Sequence, residues 1–413
     1  MTETTEVTFL IGKAETGDVA AQLTLADMYD NGYGIAKNMG LAAQWYLEAA
    51  KHGSVQAQAL IGAKYLKGLG IGQDFDKAFH WLRLAAGQNN ADAIAEMGWS
   101  YQTGLGTKRN YSKAFQCYER AALLGHRGAQ FNLAYMYANG MGRDVDYSHA
   151  LKWYKSAAGQ GHKKAQVNLG LMYSNGTGTE RDDIEAVEWF RKSAAQGYAK
   201  GQYNLGRMYA EGKGVPTDHH QAVKWYESAA EQGYERAQFD LGMLYLHGMG
   251  VKQDYGLALN WFLKASIKGN AKANFQLAMI YMDGLGIPQE HTEAHDYFLN
   301  AANHGYDRAQ YELGKLYLKG EGIQKDYSLA FHWFNKAAEQ RYQPAQYRLG
   351  RIYEKGLGVE KNLIQAYAWM YVAASRNNTT ALKSLKRIKD KLNAADLIMA
   401  DKLAKEYQSK YCG

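Results

Sequence analysis

A unit of 36 residues occurs ten times in succession in this chain, with no residue inserted or deleted between copies. Its first position falls at Ala21, Ala57, Ala93, Ala129, Ala165, Gly201, Ala237, Ala273, Ala309 and Ala345. Offsets below are counted from that position. At +8 every copy carries Tyr, from Tyr29 to Tyr353, and at +11 and +13 every copy carries Gly, from Gly32 and Gly34 to Gly356 and Gly358. A fixed period of this length belongs to stacked repeats, in which each unit buries its apolar face only against its neighbours. It overrides the two or three globular domains that 413 residues would otherwise suggest.

The fourth copy shows what a unit is. Across residues 127–139, Ala129, Leu133, Ala134, Met136 and Tyr137 recur at helical spacing and form one apolar face. Gly140 and Gly142 end that helix, since glycine accepts the left-handed conformation of a helix exit. Residues 148–160 repeat the pattern with Ala150, Trp153, Tyr154, Ala157 and Ala158. The expectation is an all-α fold, a right-handed α/α superhelix (solenoid) of ten helix-turn-helix repeats. The Ala at +21, present in all ten copies, lets the two helices approach closely, and the Trp at +24 in eight copies fills space. Residues 1–17 are expected to hold a capping helix, 18–377 a single solenoid domain of ten repeats, and 378–413 two more capping helices, at 380–391 and 393–407. Asn377 and Asn378 break the period between them. The basic face of the tail (Lys383, Lys386, Arg387, Lys389, Lys391) is expected to solvate the cap.

Composition removes several classes. Three prolines and largely periodic glycines exclude disordered and collagen-like chains. No apolar run reaches the roughly 18 residues of a membrane helix. The first residues carry no basic segment followed by an apolar core, so a cytoplasmic protein is expected, with a periplasmic or secreted one if a leader has been removed. Cys117 and Cys412 lie about eight repeats apart and cannot build a disulfide framework; Cys117 stands in the Trp column and reads as a core residue. A net charge of +7 is mild and does not by itself indicate nucleic acid. No phosphate loop, nucleotide-binding glycine pattern, nucleophile elbow or HExxH is present. His291 and His295 lack an evident third ligand and read as an exposed pair rather than a metal site. The expectation is therefore a protein without catalytic residues, cofactor or metal.

The motif resembles that of the Sel-1-like repeat family, a branch of the tetratricopeptide-type solenoids. Residues 237–251 (AQFDLGMLYLHGMGV) and 254–269 fit it closely, and the resemblance covers nearly the whole chain. The tail LNAADLIMADKLAKEY resembles the closing helix of bacterial members. The family implies a scaffold or adaptor for other proteins, bacterial in the nearest resemblance, with a secreted or periplasmic factor engaging a host protein as the alternative. The subgroup with a disulfide in every repeat is not matched, because the cysteine pairs are missing.

On each first helix, offsets 0, +4, +5 and +8 form the buried arc, so −1, +3, +6 and +10 face the other way and are free to vary. If the units form a superhelix, this arc lines its concave face. At −1 five consecutive repeats are basic: Lys164, Lys200, Arg236, Lys272 and Arg308. At +3 stand Asn132, Asn168 and Asn204, followed by Asp240, Gln276 and Glu312. In related tetratricopeptide proteins an Asn in this zone bonds the backbone of a bound peptide while cations hold its carboxylates. The resemblance thus implies a track for an extended or acidic segment of a partner protein, with nucleic acid the weaker expectation and a monomeric chain. The plainer alternative is a set of solvated lysines, with Arg236–Asp240 and Arg308–Glu312 as ordinary ion pairs. Trp99 and Tyr135 at +6 form a second candidate, because exposed Trp and Tyr concentrate at binding hot spots. The aromatics at +2 recur too regularly to mark one site and are expected to pack between repeats.

Overall fold

The computed structural model describes residues 2–375 and 378–411. Every described element is an α-helix. Each repeat supplies two: a first helix from −2 to +10, such as Arg127–Asn139, and a second from +18, such as Tyr147–Gly159. The expected all-α helix-turn-helix repeat is what the chain forms, one residue earlier than expected in the second helix. A capping helix Thr2–Glu15 precedes the repeats, and Thr379–Lys389 and Ala394–Tyr411 follow them. Asn378 caps the first of these two, its side chain accepting from the Ala381 N–H; Asn377 and Cys412 lie outside the described residues.

Packing groups the residues into two compact units, 1–208 with 212–216, and 209–211 with 217–413. The division falls in the glycine turn of repeat six. Within each unit the same local rules operate. Gly140 ends its helix with φ 65° and its N–H on Met136 O. Gly142 has φ 81°, and a Cβ there would stand 2.6 Å from the carbonyl oxygen of Tyr111, at the start of the preceding repeat's second helix. The second glycine of the turn is thus required by close approach between repeats as well as by conformation. The Asp146 N–H then bonds the carbonyl of Tyr137, and its carboxylate caps the next helix at His149 N.

The Ala column at +21 is wholly buried, as expected of a helix crossing. The large fill at the crossing is a different column from the one expected. Trp153 and most of the +24 tryptophans are half-buried, while Tyr118, Tyr154, Phe190, Phe262, Phe298 and Phe334 at +25 are buried completely or nearly so. A Cβ on Gly98 would lie 2.8 Å from the Tyr118 ring, and one on Gly170 2.6 Å from Phe190. The small residue at +5 therefore makes room for the +25 ring. The aromatics at +2 close this layer: Phe131 packs on Tyr154 of its own repeat and stacks on His162 at the entry to the next, with centroids 5.9 and 4.5 Å apart.

A polar column was not anticipated. Gln at +1 is buried in eight repeats, and its Nε2 typically donates to the last turn of the preceding repeat's second helix, as from Gln130 to Ala122 O (3.2 Å) and Gln166 to Ala158 O (3.1 Å). These bonds give a second partner to last-turn carbonyls that already accept a helix-exit N–H, as Ala122 O does from Gly125 and Ala158 O from Gly161, both at 3.0 Å. At the C-terminus, Arg387 and Lys391 do more than solvate: with Arg351 they surround the nearly buried Glu354 of repeat ten at 2.8, 3.9 and 3.6 Å.

Candidate functional site

The −1 cations sit in the first turn of their helices. Lys164, Arg236, Lys272 and Arg308 are exposed and Lys200 is half-buried. Lys164 and Lys200 belong to the first compact unit, and Arg236, Lys272 and Arg308 to the second. Glu312 is ion-paired with Lys315 at 2.5 Å, so its nearest cation is not the expected Arg308.

The +3 amides have structural work. Asn132 is hydrogen-bonded to the hydroxyl of Tyr118, and Asn168 to that of Tyr154, each the buried +25 ring of the preceding repeat. Burial raises both phenols, that of Tyr154 to about 12; Asn168 supplies a partner to the Tyr154 hydroxyl, whereas that of Tyr118 also donates to Gln102 Oε1 at 2.9 Å. Where the preceding +25 residue is Phe190, Asn204 turns back on its own helix and donates to Lys200 O at 2.7 Å; it is 3% exposed. Asn204 thus stands on the buried side, contrary to its expected place on the open arc. An Asn side chain at +3 is drawn inward by whatever hydroxyl or carbonyl needs it.

Trp99 and Tyr135 part company. Trp99 is half-buried against the core of the first unit, whereas Tyr135 is 42% exposed. Cys117 is half-buried, and burial raises its thiol to about 11, which leaves it protonated and unreactive. His291 and His295 are half-buried rather than exposed: His291 Nδ1 lies 3.2 Å from Met282 Sδ, and His295 lies 3.0 Å from Tyr317 Oη and 3.1 Å from Asp296. Among the described residues no three His, Cys, Asp or Glu side chains are grouped to hold a metal ion, and no helix is long and apolar enough to cross a membrane.

Two of the expected residues, Asn132 and Lys164, do meet in one place. They line an open pocket of about 470 Å³ between repeats four and five, together with Arg127, Phe131, His162, Lys163 and Gln196. No acidic side chain lines it. The stacked Phe131 and His162 rings are part of its lining, with Arg127 from the first turn of Arg127–Asn139 and Lys163 and Lys164 from the first turn of the helix Lys163–Asn175. That helix end adds its own positive partial charge. The Arg127 guanidinium leans on Gln160 O at 3.3 Å, and Lys163 Nζ lies 5.5 Å above the Tyr198 ring. His162 Nδ1 accepts the Ala165 N–H at 3.2 Å and so must be unprotonated. Burial, then Arg127 and Lys164, hold its pKa down to about 4. Such a pocket suits a carboxylate or another anion held by several donors at once.

Arg127, His162 and Lys163 did not emerge from the −1 column. The signal lay one residue earlier: the −2 position is basic only in repeats four and five. Consecutive basic residues at −2 and −1 single out Lys163 and Lys164.

Fold and site together define an all-α helix-turn-helix repeat protein with a cationic surface pocket. The Sel1 repeat family matches ten consecutive segments, residues 19–54, 55–90, 91–126, 128–162, 163–198, 199–234, 235–270, 271–306, 307–342 and 343–378, and the chain belongs to that family. Among solved structures it is similar to a protective antigen present in uropathogenic Escherichia coli strains displaying an SLR fold. The identity is 33% over 98% of this chain and 95% of that one, with a TM-score of 0.65. It is also similar to a Sel1 repeat protein from Oxalobacter formigenes, at 32% identity over 75% of this chain and 89% of that one, with a TM-score of 0.57. No curated protein is similar enough to match. Sel1 repeat proteins are in general protein-interaction scaffolds, and no catalytic family is indicated.

Proposed function

We propose that this chain is a non-enzymatic scaffold that holds an acidic segment of a partner protein on the first-helix face of its repeats, with the pocket between repeats four and five as the principal anchor. The observation that carries this is the convergence of Arg127, Lys163 and Lys164 on one cavity without a lining carboxylate. Lys200, in the same compact unit as the pocket, is then a secondary contact; Arg236, Lys272 and Arg308 repeat its offset within the other unit. Lysine and arginine in a helix's first turn oppose its dipole by about 0.3–1 kcal/mol each. An anionic ligand would offset that cost. The test is capture of acidic peptides by the wild type and by the double variant Lys163→Glu with Lys164→Glu. Equal capture by both would remove the pocket from the reading. Reversal of all five −1 cations tests the contribution of that column in the same way. Titration with salt separates a nucleic acid from an acidic protein, since phosphate-driven binding falls steeply with ionic strength.

A second reading draws on the likeness to the protective antigen of uropathogenic Escherichia coli. The partner would then be a host protein and the chain a periplasmic or secreted bacterial factor. Fractionation of the source cells tests it: recovery only from the cytoplasm rejects it.

A further inference from the structure

We propose that repeats four and five read a two-part segment: an acidic residue in the cationic pocket and, three to five residues away along an extended chain, one large apolar side chain in a second pocket. This rests on the reading of the cationic pocket as an acidic-segment anchor. The second pocket has a volume of about 170 Å³ and is lined by Ala138, Tyr147, Tyr154, Leu171 and Met172, with Asn168 and Asn175 among its polar members. Both pockets are built on one helix, Lys163–Asn175. Lys163 and Lys164 belong to its first turn and to the cationic pocket; Leu171, Met172 and Asn175 belong to its last turns and to the apolar one. At 100° per residue, Lys164, Asn168, Leu171 and Asn175 fall within about 60° of one another, on a single side of the helix. They therefore lie along one line that a ligand can follow.

The spacing follows from helix rise. At about 1.5 Å per residue, Leu171 stands roughly 10 Å and Asn175 roughly 16 Å along the axis from Lys164. An extended chain advances about 3.3 Å per residue, so three to five residues bridge the two pockets. The occupant is fixed by chemistry at both ends. Three cations without a lining acid select a carboxylate, and a cavity walled by Tyr147, Tyr154, Leu171 and Met172 selects an apolar side chain. Tyr147, 46% exposed, and Tyr135, 42% exposed, both stand on repeat four as large aromatic surface that a bound chain would cover.

The experiment is fluorescence anisotropy with labelled eleven-residue peptides in a Gly/Ser background. One pair carries Glu and Phe four residues apart, in the two orders; controls carry Glu alone, Phe alone, or Glu and Phe adjacent. The expected result is that one order of the spaced pair binds at least tenfold tighter than Glu alone. Leu171→Ser should bring that peptide back to the Glu-alone level, and Tyr147→Ala, at a position 46% exposed, should weaken it while the unfolding midpoint stays near that of the wild type. Spaced peptides that bind no better than Glu alone in either order overturn the two-part reading. So does insensitivity to both variants. If Glu alone still binds and is lost in Lys163→Glu with Lys164→Glu, the acidic anchor stands while the second pocket falls. If that double variant changes nothing, the anchor itself falls.

Discussion

Gln160 Nε2 donates to Gln130 Oε1 at 2.8 Å, and Gln130 in turn donates to the carbonyl of Ala122. The two glutamines stand at +1 and +31 of one repeat, and the same pair recurs as Gln58 with Gln88, Gln166 with Gln196 and Gln310 with Gln340. In repeat three both positions are apolar, Ile94 and Leu124. Of the two positions only +1 is buried, so the Ile94 of repeat three leaves no amide there in need of a partner at +31.

That coupling sets the first prediction. Gln130→Ala should destabilise the protein by about 1–2 kcal/mol, since it removes a buried side chain and its hydrogen bond to Ala122 O, although Gly125 N–H still reaches that carbonyl and the exposed Gln160 still reaches Gly125 O. The double variant Gln130→Ile with Gln160→Leu, which copies repeat three, should cost less than the single one. Urea unfolding of both variants measures this, and a double variant worse than the single would contradict it.

Repeat seven gives the converse case. Lys268 occupies +31, and its ammonium goes to the carbonyl of Gly233, while the buried Gln238 Oε1 has no hydrogen-bond partner among the described residues. Lys268→Gln should restore the pair and stabilise the protein by about 1 kcal/mol. A lower unfolding midpoint in this variant would show that the lysine contact outweighs the orphaned oxygen.

How much of this was legible in the chain depended on what each column repeats. Invariant Tyr, Gly and Ala gave the helix pairs nearly to the residue, because their roles are local: helix exit, cap and crossing. The +1 glutamines are nearly as regular, in eight copies of ten, but burying a polar column makes sense only when the preceding repeat's helix end is in view. The same gap explains Asn204, whose offset suggested an open arc and whose amide is held inside. Lys164 and Asn132 were found, yet Arg127 and Lys163 were not, since the pocket draws on two repeats and on a column that is mostly uncharged.

His162 gives a pH dependence. Its pKa is held down to about 4 in the folded chain, below the usual histidine range near 6.5. Between those values the unfolded chain binds the extra proton, so stability is intact above about pH 6.5 and falls as the pH drops toward 4. With the ring half-exposed, the loss should be about 1 kcal/mol after screening. His162→Asn keeps a side chain able to cap Ala165 N and should remove that part of the slope. Melting temperatures of both proteins from pH 7 to pH 4.5 check it, and parallel curves would reject the assignment.

Lys64 is the last anomaly in the period. It stands at +7, where other repeats have Met28, Met136, Met172 and Met208, and only 6% of it is exposed. Its ammonium pairs with Asp30 at 2.6 Å and lies 5.5 Å from the centre of the Tyr46 ring, whose phenol is raised to about 12 by burial and by Asp30 and Asp27. Removing water from an ion pair costs about as much as the attraction returns, whereas removing one partner leaves a buried charge alone. Asp30→Ala should therefore destabilise by about 3 kcal/mol, a value near the lower end for such pairs because Asp30 is partly exposed. Lys64→Met, which restores the residue type of its column, should be neutral or stabilising, as Asp30 can turn to solvent. Adding Lys64→Met to Asp30→Ala should then recover most of the lost stability. Thermal unfolding of the two single variants and the double closes the cycle, and a double variant no more stable than Asp30→Ala would show that the pair contributes by packing rather than by charge.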